Sequence, residues 1–311
     1  MNSVERWLLT PAPPERLAAL RMVIGGFAVG YLLVRLPHLF SVAEFDEGRF
    51  DPVGVVGGLD APLAPGLFRA LVVTALVTGV AFVAGWRYRL CAPVFAALLL
   101  VVLTYRNSWG QVFHSENLLV LQVVILALAP AAAAWSLDRR RQAGSAPAAA
   151  AEFGWPIQVM CLVTVTAYVV TGVAKLRYGG DAWIAGDVLR NQVAFDNLRK
   201  VALGDVHSPI GGAAVAHAWV FRPLAVITLA IELGAPAALL PGWPRRGWVA
   251  AAWLFHVGIL ALMAIVFPYQ LLGISFAPFF AVERIPAWVR ARVARRPATG
   301  AEVRELADVG S

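Results

Sequence analysis

The chain has 311 residues, of which 59% are hydrophobic and 14% charged, and its mean hydropathy is +0.70. Soluble domains contain about 45–50% apolar and about 25% charged residues, so this composition excludes a soluble globular protein and indicates a lipid bilayer as partner. The net charge of +7 is typical of some nucleic-acid-binding proteins, but here the arginines stand in short stretches beside apolar runs. We therefore expect no nucleic acid. Two cysteines, Cys91 and Cys161, lie inside apolar runs and predict neither a disulfide framework nor a metal site.

The apolar runs, taken in chain order, predict an all-α, polytopic transmembrane helix bundle of about eight spans, since one crossing needs about 20 mostly apolar residues. They cover residues 17–36, 67–85, 90–105, 117–135, 155–174, 223–240, 248–267 and 269–281. The third and the eighth are short. Pro268 and Pro278 bound the eighth, which is therefore either a span or a re-entrant segment. The transmembrane domain is predicted to occupy residues 1–282.

Arginines predict the orientation of this bundle. They cluster at residues 87–89, 139–141, 245–246 and 284–296, which all fall on one side when eight spans alternate. Short loops rich in Arg face the cytoplasm, so we predict that both termini are cytoplasmic. The expected location is the cell (inner) membrane, as a multi-pass protein. Residues 283–311 are predicted to form a basic, disordered cytoplasmic tail.

Two long connections, residues 37–66 and 176–222, fall on the outer side in this topology. Within the second connection, apolar residues recur at helical spacing with polar residues between them, namely Ile184, Val188, Phe195, Leu198 and Ala202. This pattern predicts an amphipathic helix that lies on the outer membrane interface.

Lys175 is the most informative ionisable residue in the sequence. Only two of the 26 Lys and Arg residues are lysines, Lys175 and Lys200, and Lys175 stands at the outer end of the fifth predicted span. A lysine that is removed from water can lose its proton and act as a base, which arginine cannot do. The alternative is a lysine whose ammonium group extends to water at the membrane interface. Its position in the sequence is compatible with both.

His114 lies just before the fourth predicted span, on the same outer side as Lys175. It is either a functional acid, base or hydrogen-bond donor, or an ordinary interfacial histidine beside a helix start.

Glu232 and His256 are predicted to form a structural polar pair between the sixth and seventh spans. Glu232 lies nine residues before Pro241 and His256 nine residues after Gly247, so the two side chains share a depth if the spans are antiparallel. An ionisable group in lipid is costly unless it has a partner. We therefore predict that the two side chains face each other, within reach of a hydrogen bond or one bridging water.

These residues lie in segments that resemble the HTTM family, the transmembrane domain shared with vitamin K-dependent γ-glutamyl carboxylase. The similar segments are residues 16–25, 109–115, 171–176, 183–186 and 255–256, and the resemblance spans roughly residues 15–282. It implies that the lysine of an Ala-Gly-x-x-Lys-Leu pattern is the base that acts on vitamin K hydroquinone, assisted by a histidine that precedes a serine. Lys175 and His114 occupy these positions, although Thr171 replaces the alanine of the pattern.

The resemblance also sets limits on the expected activity. This chain does not include the large extramembrane region with which the carboxylase holds its protein substrate, so carboxylation of glutamate in a partner protein is not expected. We predict instead that Lys175 and His114 are catalytic residues in one outward-opening cavity. Trp109 and Tyr168 are the predicted cofactor-binding residues, which hold the ring of a quinone or hydroquinone such as vitamin K or menaquinone.

Three functions remain open from the sequence. The first is an enzyme that carries out quinol-linked chemistry with Lys175 as base. The second is a non-catalytic membrane helper for the maturation or export of a small secreted peptide. The third is a transporter, which is disfavoured because the two halves of the chain lack matching Gly/Pro-broken spans.

Overall fold

The computed structural model describes residues 2–142 and 147–285. The described residues form twelve α-helices, and one isolated antiparallel pairing joins Ala12 to Ala150. The helices are α1 (Ser3–Leu8), α2 (Pro14–Val42), α3 (Pro65–Ala84), α4 (Tyr88–Arg106), α5 (Asn117–Leu128), α6 (Leu137–Arg140), α7 (Ala151–Ala185), α8 (Asp187–Ala202), α9 (Pro209–Val215), α10 (Phe221–Leu233), α11 (Trp243–Met263) and α12 (Pro268–Leu271). The all-α prediction is confirmed for this part of the chain.

Five of these helices are long and apolar enough to cross a bilayer, namely α2, α3, α4, α7 and α11. A sixth candidate is the pair formed by α9 and residues Ala218–Leu233, which meet at an angle of 104°. The remaining predicted spans contain shorter helices. In them, α5 has 12 residues, α10 continues into a 3₁₀ segment at Ala235–Leu239, and α12 precedes another at Ile274–Phe279. The chain is therefore polytopic, and the count of eight stays a prediction.

Apolar side chains form two main cores within the bundle. The first core lies between α2, α3, α4 and α5 and includes fully buried aromatic rings such as Phe68, Phe82 and Phe95. The second core lies where α7 and α11 pack against the segment Ile274–Phe279. The candidate site described below borders this second core.

Polar contacts define one end of the bundle, which we call the Arg16 end. The guanidinium of Arg16 donates two hydrogen bonds, of 3.0 and 2.9 Å, to the carboxylate of Glu283. The carboxylate of Asp138 accepts from the backbone N–H groups of Arg87 and Tyr88. Glu283 is the first residue of the predicted tail, and in the structure its carboxylate is hydrogen-bonded to Arg16 of α2. The rest of that predicted tail, from residue 286, lies outside the described residues, as do residues 143–146 of the inner linker.

Arg21 is fully buried on the same side of the bundle. It donates hydrogen bonds to the backbone carbonyls of Ala131, at 2.9 Å, and Trp135, at 2.6 Å. The chain has left the helical conformation of α5 at these residues, and their carbonyl groups have no partners within that helix. Arg21 supplies those partners.

At the opposite end, helix α8 is fixed to the last turn of α11. The side chains of Asn197, Lys200 and Ser208 donate to the carbonyls of Leu262, Met263 and Ala261, respectively. Phe195 and Leu198, which belong to the predicted apolar face of this helix, are each 69% exposed. The predicted helix exists, but the part of its predicted apolar face that contains Phe195 and Leu198 is exposed. The helix is joined to the rest of the protein by these polar side chains and by Val188, Leu189 and Val193.

Candidate functional site around Lys175

Lys175 and Glu232 form an ion pair between α7 and α10. The Nζ atom of Lys175 donates to Oε1 of Glu232 at 2.5 Å, and the side chains are 17% and 2% exposed. The two helices approach closely because Gly172 has no side chain. A Cβ atom at this position would lie 2.9 Å from the Leu233 side chain and 3.0 Å from Cβ of Glu232. Glu232 therefore pairs with Lys175 of α7 and not with His256 of α11.

Aromatic rings flank the ammonium group of Lys175. Its Nζ atom lies 4.7 Å from the ring centre of Trp183 and 5.4 Å from that of Phe255, so both rings are placed for cation–π attraction. A straight helix would place Trp183 about 12 Å farther along its axis than Lys175. The chain instead breaks at Gly180, whose φ of 49° and ψ of −134° are not helical. This break brings the indole back over the ammonium group.

His256 forms its hydrogen bond with Tyr168 of α7. The Tyr168 hydroxyl and Nε2 of His256 are 2.8 Å apart, and both side chains are buried. The predicted pair of Glu232 and His256 is therefore not joined directly, since each is bonded to α7. A water between the two stays a prediction. Tyr168 was predicted to hold a quinone ring, and the structure places it beside His256 in the second core.

His114 and His256 both lie next to the ring of Phe267. The ring centre of Phe267 is 5.7 Å from that of His114 and 5.0 Å from that of His256. His114 is exposed, whereas His256 is only 6% exposed. The structure thus brings His114 and His256 to one phenylalanine ring, and His114 forms the exposed edge of the candidate site.

Trp109 lies in a separate aromatic cluster. Its ring contacts Phe45, Phe50 and Tyr105, which pack against the first core. The described contacts do not bring Trp109 to Lys175, and its role in holding a quinone stays a prediction.

Three buried polar atoms around Lys175 have no hydrogen-bond partner in the described part of the chain. They are Oε2 of Glu232, Nε1 of Trp183 and Nδ1 of His256. Buried polar groups are nearly always hydrogen-bonded, so unpartnered ones need an explanation. Oε2 of Glu232 can accept a hydrogen bond and Nε1 of Trp183 can donate one, and both residues contact the ammonium group of Lys175. Such groups suit a ligand that carries a hydroxyl or carbonyl group on a flat ring. The residues present therefore fit a quinone or hydroquinone headgroup.

An apolar groove of about 310 Å³ adjoins the ion pair. It runs between α8, α10 and α11, and it shares Phe255 with the surroundings of Lys175. Ile231, the neighbour of Glu232, also lines it. The groove thus offers an apolar surface that begins beside the polar site.

Sequence reasoning missed the aromatic part of this site. Trp183 stood in a recognised segment, but no signal indicated that a break at Gly180 would place its ring over Lys175. The positions of the Phe255 and Phe267 rings likewise depend on how α11 and the start of α12 pack. A second buried ion pair, between Arg106 and Glu116, was also missed, although two ionisable groups at the ends of adjacent apolar runs were a usable signal.

Comparison with known proteins supports the resemblance found in the sequence. No curated protein and no solved structure matches the chain. The family model described as the HTTM domain matches residues 10–283, which is nearly the whole length of the chain. With its apolar helices, this match identifies a multi-pass integral membrane protein. The chain belongs to the HTTM family.

Proposed function

We propose that this HTTM protein binds a lipid-soluble quinol near the outer face of the cell membrane and that Lys175 and Glu232 together accept a proton from it. The observation that carries the proposal is the buried ion pair with aromatic rings beside the ammonium group and an unpartnered carboxylate oxygen. Such a pair is expensive to bury, and ionisable groups inside membrane proteins mark functional sites by default.

The surroundings of the pair provide contacts for both parts of a quinol. Trp183 and Phe255 offer ring faces, and the unpartnered oxygen of Glu232 offers an acceptor for a hydroxyl group. The groove that begins at Phe255 suits an isoprenoid tail, because its lining is almost entirely aliphatic and it is continuous with the polar site. A ligand that arrives laterally from the bilayer would fill both without crossing water.

The ion pair is suited to take up one proton. A bound quinol supplies a weakly acidic aromatic hydroxyl group and, after losing that proton, reducing power. In the reactive form of the pair the shared proton lies on Glu232, so that Lys175 is an amine and Glu232 a carboxylic acid. The proton of the quinol then adds to Nζ of Lys175 and yields an ammonium beside the carboxylic acid, and the quinol is left as its anion. The ammonium then stabilises the negative charge left nearby, in surroundings that exclude water.

Eight crossings with both termini in the cytoplasm complete the proposal. The positions of the polar contacts support it, because residues 12–21, 87–88, 131–138 and 283 meet at the Arg16 end. Residues 106–116 and 197–208 lie at the ends of helices that lead away from it. Each predicted span, including the three that contain the shorter helices α5, α10 and α12, then leads from one end of the bundle to the other, and Lys175 and His114 share the outer half.

Substitutions of the two lysines test this proposal. The protein would be placed in nanodiscs with reduced menaquinone and dissolved dioxygen as the two-electron acceptor. Quinol fluorescence would follow both quinol binding and quinol consumption, that is, oxidation of the deprotonated quinol to the quinone by dioxygen. We expect Lys175→Arg and Lys175→Ala to abolish consumption alike, since arginine keeps the charge but cannot give up its proton. Lys200→Arg is the matched control, because Lys200 is also buried and hydrogen-bonded but lies on α8. It should retain consumption.

Two results would contradict the proposal. If Lys175→Arg consumes quinol as the wild type does, Lys175 is a charged anchor and the base has to be sought elsewhere. If the wild-type protein neither binds nor consumes reduced menaquinone or vitamin K hydroquinone, the quinol assignment is wrong.

A further inference from the structure

Arg106, at the end of α4, is the centre of a second buried polar cluster. Its Nη1 atom donates to the hydroxyl of Tyr31 at 2.6 Å, and its Nη2 atom lies 3.1 Å from Oε2 of Glu116. Tyr31 in turn donates to Oε1 of Glu116 at 2.5 Å. The side chains of Arg106 and Glu116 are 3% and 10% exposed. Three helices, α2, α4 and the start of α5, therefore meet at one guanidinium group.

The segment between Arg106 and Glu116 is held at further points. Asn107 accepts from the backbone N–H of Phe113 at 3.1 Å and donates to its carbonyl at 3.0 Å. The guanidinium of Arg106 lies 4.5 Å from the ring centre of Phe113. Two residues, His114 and Ser115, lie between the two anchors, Phe113 and Glu116. His114 is exposed, but the anchors before and after it both contact Arg106.

We propose that Arg106, with Glu116, Tyr31 and Asn107, is a positioning cluster that holds His114 against Phe267, at the outer edge of the Lys175 site. A forked, planar guanidinium can orient several acceptors at once, which a lysine cannot do. A buried ion pair contributes little net stability compared with apolar packing, so its value here lies in fixing geometry. The inference rests on the proposed quinol site, because it assigns a partner residue to that ligand.

Arg21 provides a matched control for this inference. It is also a fully buried arginine that donates to groups at the other end of α5, but its acceptors are backbone carbonyls at the Arg16 end. A purely structural effect of losing a buried arginine should therefore appear in Arg21→Lys as well. An effect that passes through His114 should appear only in Arg106→Lys.

A double-mutant cycle on quinol affinity separates these possibilities. Reduced menaquinone would be titrated into nanodiscs that contain the wild type, Arg106→Lys, His114→Ala and the double variant. We expect Arg106→Lys and His114→Ala each to weaken binding by about tenfold, and the double variant to bind no worse than His114→Ala alone. Arg21→Lys should keep the wild-type affinity. If Arg106→Lys does not fold, Asn107→Ala takes its place in the cycle, because it removes only the clamp on Phe113 and a weak contact to Arg106.

Additive losses in the double variant would overturn the inference, as would equal losses in Arg21→Lys and Arg106→Lys. Both results would be obtained with a wild-type protein that binds quinol, so they leave the proposed function standing. A wild-type protein that binds no quinol contradicts the proposed function itself and removes the basis of the inference with it.

Discussion

Lys175 and Glu232 differ in their access to water, since their side chains are 17% and 2% exposed. A lysine left without its partner can extend its flexible chain toward water. A glutamate left at the position of Glu232 has no such route and keeps its charge only at a high cost. The two members of the pair should therefore not be equivalent when one of them is removed.

Single and double substitutions of the pair measure this asymmetry. We expect Lys175→Met to lower the free energy of unfolding by about 3 kcal/mol, because it leaves a buried acid without a cation. Glu232→Gln should cost about 1 kcal/mol, since Lys175 keeps a neutral acceptor. The double variant should cost less than the sum of the two. Thermal unfolding in detergent would test the order, and a larger loss in Glu232→Gln would contradict it.

Gly180 is the residue that brings Trp183 back over Lys175. Its φ of 49° and ψ of −134° are strained for residues with a Cβ atom, although a Cβ there would meet no other atom within 4 Å. Gly180→Ala should therefore cost about 1–3 kcal/mol through the backbone alone and weaken quinol binding by displacing the indole. Gly212→Ala is the control, because a Cβ also finds open space there and the backbone is not strained. Similar losses in both variants would show that the backbone at Gly180 is not special.

Sequence reasoning identified single residues better than their partners. Lys175, His114, Glu232 and His256 could be selected because ionisable groups in apolar runs are costly. The hydrogen-bond partner of Glu232 could not be identified from sequence, because it depends on how α7 and α10 pack at Gly172. The antiparallel turn between the sixth and seventh spans suggested His256, but α7 approaches Glu232 more closely.

At the scale of helices, the contact between α7 and α10 depends on Gly172. We expect Gly172→Ala to lower the free energy of unfolding by about 1–2 kcal/mol, because the new methyl group overpacks against Glu232 and Leu233. It should also weaken quinol binding by shifting the ion pair. Gly30→Ala, in α2, has open space around its Cβ position and should be neutral or stabilising by up to about 1 kcal/mol. Thermal unfolding and quinol titration of both variants would test this, and two variants that behave alike would refute it.

The bounds of the helices show where hydropathy succeeds and fails. The fifth span was predicted at residues 155–174, but α7 begins at Ala151 and stays helical past Lys175 to the break at Gly180, because a helix does not have to end where its side chains become charged. The fourth span was predicted to reach residue 135, but α5 ends at Leu128, shortly before Pro130. Apolar composition continues past that proline although the helical backbone does not.

At the scale of the whole molecule, the orientation in the membrane can be tested by cysteine labelling. The native cysteines, Cys91 and Cys161, are buried and would be replaced by alanine. Asp205 and Arg140 are exposed and belong to the predicted outer and inner sides. We expect an impermeant maleimide applied outside intact cells to label Asp205→Cys but not Arg140→Cys, because short Arg-rich loops stay in the cytoplasm. The reverse pattern would invert the topology and place Lys175 on the inner side.

The general architecture was accessible from sequence because bilayer thickness and hydropathy constrain it strongly. The all-α bundle, the multi-pass insertion and the HTTM membership were all predicted and are confirmed. The contacts between the first and last parts of the bundle were not predicted. Ion pairs such as Arg16–Glu283 join residues that are far apart in the chain, and no hydrophobic periodicity indicates which residues will pair.

That last contact has a consequence for how the protein is made. Arg16 and Glu283 are 267 residues apart in the chain, and a ribosome that adds about 5–20 residues per second needs about 13–53 s to cover that distance. Throughout this interval the start of α2 is already synthesised while its Arg16 still lacks the carboxylate of Glu283. The emerging protein is therefore an open bundle whose first and last parts join only near the end of synthesis, so this salt bridge forms only in chains whose translation has passed Glu283.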